Sequence, residues 1–487
     1  MSSTNALKFR TGISGAFIAP LVFLIGATTH FVFFNAFDMN ALTMSALVGL
    51  LLAALVAVDY QQFWDSVIAG IATPIAITVT LILFIVGPLA SLVESTGVSE
   101  GFVWLASELG VGGGAFPAIV FVAACAMSMS TGTSLGTMFT AYPIFYPAGA
   151  ALDAEPSLLA GAILSGALFG DNLAPISDTS IVSATTQRYR TVDGVADVGG
   201  VVAARAKYAL SAAAISFILY LLIGTVFLDG SGDAAQTATD ASPRGLFMLI
   251  PIVALFVVAF AKRDLYLAIT VGIIGGTATA LVTGLMTPSD IVSAEDGVAE
   301  GFLIAGVADM LPLIGLSLMV FGMLGVLQAA GVLEMIIDKI SSSKFASTPA
   351  GAEVAIGGGQ SIVTGLFAGV VGPSIVTFGP VVDRIGSSVG LHPYRRANIM
   401  DCFAMGVACV LPALSAFLFI SSDLTGGVDG MPSLSPASVF IACFYPLTLT
   451  VLMVIAVATG WGRTFEGPGG AQVKAQSDAH ASFDQPS

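Results

Sequence analysis

Histidine is nearly missing from this sequence, with three in 487 residues, and cysteine is almost as scarce, with four. His30 lies near the end of an apolar run, His392 in a loop and His480 in the C-terminal tail, so neither a histidine-ligated metal nor a histidine relay is supported. Cys125, Cys402, Cys409 and Cys443 all fall inside apolar segments without metal-type spacing. Small buried packing residues are expected there, with no disulfide, resident metal or cofactor. Charge is the third shortage. Only 10% of the residues are Asp, Glu, Lys or Arg, where soluble domains carry about 25%. With 56% hydrophobic residues and a mean hydropathy of +0.94, a soluble globular chain is excluded. The class is an all-α polytopic membrane protein, not an enzyme.

Among the charges that are present, acidic residues outnumber basic ones 31 to 16. The surplus sits in loops and the tail, for example Asp229, Asp233, Asp290, Glu300, Glu466, Asp478 and Asp484. Such a surface repels nucleic acid, and it suits a high-salt setting in which screening removes self-repulsion.

Apolar windows of about 20 residues, enough to cross a bilayer, occur near 14–35, 41–58, 69–93, 157–187, 206–228, 245–261, 264–284, 302–330, 398–420 and 436–459. The first follows Lys8 and Arg10 and is too long for a signal-peptide core, so it is expected to be a retained span. Two further stretches, 114–152 and 348–390, carry Gly, Ser, Thr and Pro at their centres and are expected to be re-entrant hairpins. Basic residues collect on the cytoplasmic side of a membrane protein. With ten spans and two hairpins, Lys8, Arg10, Arg188, Arg190, Arg205, Lys207, Lys262, Arg263, Lys339, Lys344, Arg384, Arg395, Arg396, Arg463 and Lys474 share one side with both termini. Arg244 is the exception.

Gly87-Pro-Leu-Ala-Ser-Leu92 recurs as Gly322-Met-Leu-Gly-Val-Leu327, Thr140 and Pro143 are echoed by Thr377 and Pro380, and Gly170 and Pro175 more loosely by Gly406 and Pro412. The shared offset and order point to an internal repeat. Five spans per copy is odd, so the second copy enters inverted: residues 1–235 form one repeat and 240–462 the other, each with a hairpin and a broken helix, followed by an acidic disordered cytoplasmic tail at 463–487. A homodimer is compatible with this plan.

The chemistry concentrates in two places. Hairpin 1 contains Ser130, Thr131, Thr133, Ser134 and Thr137 interleaved with glycines, neutral ligands suited to a desolvated cation or a solute carboxylate. The window 157–187 is some ten residues too long for one crossing and holds Asp171, Asn172, Pro175, Ser177, Asp178 and Thr179. A break around Gly170 to Pro175 accounts for the excess, leaving a half-helix N-terminus near Ser177. Asp178 can be read as an N-cap; Asp171 cannot. A carboxylate at that depth can release a proton as a cation arrives and take one up as it leaves, which makes Asp171 and Asp178 a place for transient Na+. Asp309 and Asp401 also lie in apolar segments, Asp401 five residues past Arg396, a candidate ion-pair partner.

Ser130-Thr-Gly-Thr-Ser-Leu-Gly-Thr137 together with Phe169-Gly-Asp-Asn-Leu-Ala-Pro-Ile-Ser-Asp-Thr179 resembles the paired motifs of the NhaC-type sodium/proton antiporter family, in the wider ion-transporter superfamily. The resemblance covers most of the chain. It implies a plasma-membrane antiporter with Asp171, Asn172, Ser177, Asp178 and Thr179 at the site, and an acidic residue where Asp401 stands. Where the family has an acidic Gly-Asp-Gln element in hairpin 2, this chain has Gly369-Val-Val371. The family also includes exchangers of malate for lactate and, in salt-loving archaea, of arginine for ornithine. Because no Lys or Arg is expected inside the membrane, a cationic solute fits better than a dicarboxylate. The reading favours arginine/ornithine exchange, with Na+/H+ antiport as the alternative, by an elevator or rocking movement. A channel and an intramembrane aspartyl protease are rival classes; the protease lacks its glycine before Gly170, where Leu168 stands, and a Tyr-Asp partner.

Overall fold

The computed structural model describes residues 6–474 apart from 31–33, 35–38, 98–100, 102–103, 105–111, 228–242, 263–264, 296, 333, 336–338, 340–343, 413 and 427–431. The polar linker between the expected repeats and the tail from 475 lie outside the described residues. Six described helices are long and apolar enough to cross a membrane, and seven when Pro436–Ala442 and Phe444–Thr459, bent by 57° at their junction, count as one span. The chain is thus a multi-pass membrane protein.

One body is built from α1 (Ile18–Thr28), α2 (Met39–Val56), α3 (Tyr60–Ile71) and α4 (Pro74–Ser95), with α10 (Leu249–Lys262), α11 (Leu265–Thr283) and the long α12 (Phe302–Ala329). Glycine permits the closest approaches: a Cβ on Gly306 would lie 2.5 Å from Pro88 N, and one on Gly70 2.8 Å from Gly325. The window at 69–93 proves to be two helices. Asp59 starts the earlier one by accepting from Gln62 N at 3.0 Å, and Pro74 begins the next.

The second body holds Asp171, Asp178 and Asp401. α5 (Phe116–Thr131) and α6 (Ser134–Ala151) meet at Gly132, whose φ of 67° is left-handed, and Thr133 caps α6. α7 (Pro156–Leu173) stops because Pro175 follows: Ala174, the residue before it, is extended with ψ 126°, as the proline ring demands. Ser177 then caps α8 (Asp178–Thr185) by accepting from Thr179 N. The break therefore runs from 174 to 177 rather than from Gly170. Gly170 stays helical and lets α5 approach; a Cβ there would lie 2.5 Å from Ser128 C. After α9 (Val198–Leu222) and α10–α12 the pattern returns. α13 (Pro349–Leu366) and α14 (Val371–Ser388) meet at left-handed Ala368 and Gly369; α15 (Pro393–Ala404) breaks before α16 (Ala416–Asp423), which Ser415 caps; α17 (Pro436–Ala442) and α18 (Phe444–Thr459) follow. Ser134 and Val371, which open α6 and α14, stand 371 − 134 = 237 apart, as do Pro156 and Pro393, which open α7 and α15.

The four cysteines are free and buried. Two small antiparallel pairs lie outside the helices, β1 (Ser293–Glu295) with β2 (Val298–Glu300) and β3 (Phe465–Glu466) with β4 (Gln472–Val473). The second pair folds the front of the expected tail. Buried Glu466 accepts from Arg190 N at 2.6 Å and Thr191 N at 2.7 Å, holding this segment against the loop after α8.

Candidate functional site

Hairpin 1 and the break in α7/α8 converge on Asp171, which lies in the last turn of α7 and is 5% exposed. Its Oδ2 accepts from Ser134 Oγ at 2.7 Å and from Ser134 N at 3.3 Å. Ser177 Oγ donates to Oδ1. Thr179 Oγ1 is 2.9 Å from Ser177 Oγ and donates to the Asp171 carbonyl at 3.3 Å. The carboxylate thus faces the N-terminal turn of α6, where amides and the helix dipole favour negative charge.

Asp178 is the first residue of α8, so the cap is Ser177 and not Asp178. Its side chain is exposed, and its carboxylate lies against hairpin 2: a Cβ on Gly372 would stand 2.9 Å from Asp178 Oδ2. Glycine at 372 is what lets the first turn of α14 come so close.

Beside this pair, a buried network ties the two broken helices together. Asn172 Nδ2 donates to Asp401 Oδ1 at 2.8 Å, and Tyr445 Oη donates to Asn172 Oδ1 at 2.9 Å. Arg205, with no exposed surface, sits 2.8 Å from Asp401 Oδ2. Its guanidinium also donates to the Asn172 carbonyl, to Ser180 Oγ at 3.1 Å, to Ser183 Oγ at 3.0 Å and to Asn398 Oδ1 at 3.1 Å. Two sequence expectations are corrected here. Arg205 is not a loop charge, because α9 begins at Val198, eight residues before the apolar window at 206; Gly199, Gly200 and Arg205 itself had lowered the hydropathy of its first turns. The premise that no basic residue enters the apolar region falls with it. The partner of Asp401 is Arg205, whereas Arg396 instead approaches Asp383 at 3.3 Å. A signal was available: Asn398 and Asp401, three apart on one helix face of an apolar segment, demand a buried partner.

Of the hydroxyls expected from hairpin 1, only Ser134 reaches a site carboxylate among the contacts described. Ser130 Oγ donates back to Ala126 O at 2.9 Å and Thr131 Oγ1 to Met127 O at 3.2 Å. Thr137 Oγ1 donates to Thr133 O at 2.9 Å and lies 3.3 Å from Thr131 Oγ1, while Thr133 Oγ1 accepts from Gly136 N at 3.4 Å. In a helix such back-bonds to the preceding turn satisfy the hydroxyl locally. Asp309 stands apart. It lines a cavity of about 800 Å³ between α4, α6, α12 and α16, together with Glu94, Asp423, Tyr142 and Pro147.

Hairpin 2 carries a polar cluster that sequence reasoning passed over. Buried Gln360 Nε2 donates to Thr364 Oγ1 at 3.1 Å and to Ser374 Oγ at 2.9 Å, stitching the two arms. At its base, buried Glu353 pairs with Arg395 at 2.8 Å and with Arg463 at 2.7 Å. Among the described residues no group of three or more His, Cys, Asp or Glu has metal-holding geometry.

The Na+/H+ antiporter family profile matches residues 8–225, which contain hairpin 1, Asp171, Asp178 and Arg205. This stretch of the chain is similar to that family, in line with the resemblance of its motifs. Across the chain, a malate-2H+/Na+-lactate antiporter of Bacillus subtilis is 27% identical over 65% of this chain and 69% of its own length. The arginine/ornithine antiporter ArcD of Halobacterium salinarum is 24% identical over 83% and 84%. A Haemophilus influenzae protein described as an uncharacterized Na+/H+ antiporter is 22% identical over 67% and 71%. These relatives are antiporters, transporters rather than enzymes. The YdaH transporter of Alcanivorax borkumensis overlaps 84% of this chain and 91% of its own at 14% identity, with a TM-score of 0.36, too low to carry an argument.

Proposed function

We propose that this protein is a secondary antiporter of the plasma membrane that exchanges Na+ for H+, with Asp171 and Asp178 as the two carboxylates that bind the travelling charge. The observation that carries the reading is the charge count at the junction of the two breaks: three carboxylates, Asp171, Asp178 and Asp401, against one guanidinium, Arg205, which Asp401 occupies. The remainder is an acidic pair, so the load is cationic. The compactness around Asp171, 5% exposed and held by Ser134 and Ser177, suits a bare ion or proton. Hydroxyls and a carboxylate replace the hydration shell of such an ion without a large pocket.

The repeat at a constant offset supports an inverted pair, 1–235 and 240–462, whose hairpins and broken helices move against the helices of the first body in an elevator or rocking step. The loop charges support cytoplasmic termini. The cavity lined by Glu94, Asp309 and Asp423 begins at Tyr142, two helical turns or about 12 Å along α6 from Ser134, and we assign it to aqueous access, where its acidic walls raise the local cation concentration. That gives Asp309 a place on the path instead of in the site.

Arginine/ornithine exchange is the second reading. The broad overlap with the ArcD antiporter favours it, and the exposed Asp178, at the start of α8 facing hairpin 2, can receive a guanidinium or ammonium. Two parallel assays in proteoliposomes separate the readings: a pH-sensitive dye inside the vesicles after a sodium pulse, and uptake of labelled arginine into vesicles loaded with ornithine. A sodium-driven pH change without arginine uptake is expected; arginine accumulation that requires internal ornithine and ignores sodium would replace the first reading with the second.

A further inference from the structure

We infer that Asp401 is not a ligand of the travelling ion but the fixed counter-ion of Arg205, and that the pair positions Asn172 and the Asp171 turn by locking the two broken helices into one unit. This rests on the proposed exchange at Asp171 and Asp178.

Both carboxylate oxygens of Asp401 face protein groups. Oδ1 accepts from the Asn172 amide at 2.8 Å, Oδ2 lies 2.8 Å from Arg205 Nη1 in an ion pair, and the side chain has no exposed surface. Arg205 in turn is divided between both halves of the chain. It donates to the Asn172 carbonyl at the C-terminal end of α7, where the interrupted helix leaves carbonyls without intrahelical donors, to Ser180 and Ser183 of α8, and to Asn398 of α15. One planar fork therefore spans the first break and clamps it to the second broken helix. Lysine, with a compact ammonium, cannot meet that many acceptors in fixed directions. The residue next to the ligand Asp171 is Asn172, the node where this clamp, Asp401 and Tyr445 meet, so a change at Arg205 is felt at the ion without contact.

Breaking a buried ion pair strands a charge, whereas neutralising both partners does not. That difference separates a counter-ion from an ion ligand. The test compares wild type with Arg205→Gln, Asp401→Asn and the double variant, each purified in full length and read by thermal unfolding in detergent and by the pH profile of exchange in proteoliposomes. Each single variant is expected to melt lower and to lose at least tenfold in exchange. The double variant is expected to regain the melting temperature, to exchange within about threefold of wild type and to keep its pH midpoint. A double variant that folds like wild type and is silent, or whose midpoint moves, would overturn the inference by making Asp401 a carrier; so would single variants as active as wild type. Should the double variant fail to fold, Arg205→Lys decides: reduced rate at an unchanged midpoint supports positioning, and a displaced midpoint overturns it. The unfolding arm needs no solute, so it reads the coupling of the pair even if sodium is not the ion carried.

Discussion

The side-chain amide of Asn172, next to the last residue of the first broken helix, donates to the carboxylate of Asp401 on the second at 2.8 Å, and both side chains are fully buried. Residues 229 apart in sequence are thereby held together, and the carboxylate of Asp171, one residue away from Asn172, inherits a fixed position.

Asp171→Asn is expected to abolish exchange while the protein still reaches the membrane, because asparagine keeps the shape and can still accept from Ser134. Ser134→Ala removes a hydrogen bond to a charged group, worth about 1.5–3 kcal/mol, and is expected to weaken apparent sodium affinity by tenfold or more. Concentration dependence of the sodium-driven pH change checks both; full activity in Asp171→Asn removes that residue from the site.

Gly372→Ala places a methyl group 2.9 Å from Asp178 Oδ2. The Asp178 carboxylate must swing away to make room, so it leaves its place against the first turn of α14. The expected result is a several-fold loss of exchange rate with little change in melting temperature, measured on the same preparation. Gly132→Ala acts differently, since its φ of 67° is left-handed and alanine there costs about 1–2 kcal/mol; it is expected to lower the melting temperature.

Glu353 has no exposed surface and holds two arginines, Arg395 at 2.8 Å and Arg463 at 2.7 Å. Glu353→Gln strands buried positive charge, at a cost of about 3–5 kcal/mol by comparison with other broken buried pairs. A marked drop in melting temperature is expected, along with easier proteolysis of the C-terminal segment after Thr459, which Arg463 anchors.

His392, in the loop before α15, gives the folded C-terminal segment an acid sensitivity. Its Nδ1 accepts from Tyr394 N at 3.1 Å, so Nε2 carries the proton toward Gly470 O, 3.1 Å away. Burial holds the ring below the ordinary histidine value, against the opposing pull of Gly470 and Glu466, and Arg396 adds to the depression. With the folded value lowered, the undocked state binds the extra proton. Docking is therefore full above about pH 6.5, the unperturbed value, and weakens as pH falls through it. Proteolysis of the segment around Ala471 is expected to speed up at pH 5.5 relative to pH 7.5, and His392→Asn, which retains an N-cap acceptor, is expected to flatten that dependence.

The hairpins, the break at Pro175 and the helix pattern were legible because their causes are local: glycine at the tips, proline after Ala174, serine at the cap. Asp171 was legible for a similar reason, since nothing local explains a carboxylate there. Arg205 was not, because its partners Asp401, Asn398 and Asn172 come from distant segments and its own helix begins with a glycine-rich turn that reads as loop. The hydroxyl run of hairpin 1 was legible as a cluster, but the direction of its hydrogen bonds was not. The Oγ atoms of Ser130, Thr131 and Thr137 donate to the preceding turn, which spacing alone does not reveal. The cavity that Asp309 lines was not legible, because depth in an apolar window does not say which cavity a helix face lines.

The central claim is that Asp171 carries the charge exchanged for sodium. The most direct measurement follows the internal pH of proteoliposomes after an external sodium pulse, in wild type and Asp171→Asn side by side at equal protein incorporation. Uptake of sodium with internal alkalinisation as protons leave in wild type, and no response in the variant, is the predicted result. Equal responses from both, or no sodium response in wild type alongside ornithine-dependent arginine uptake, would contradict it.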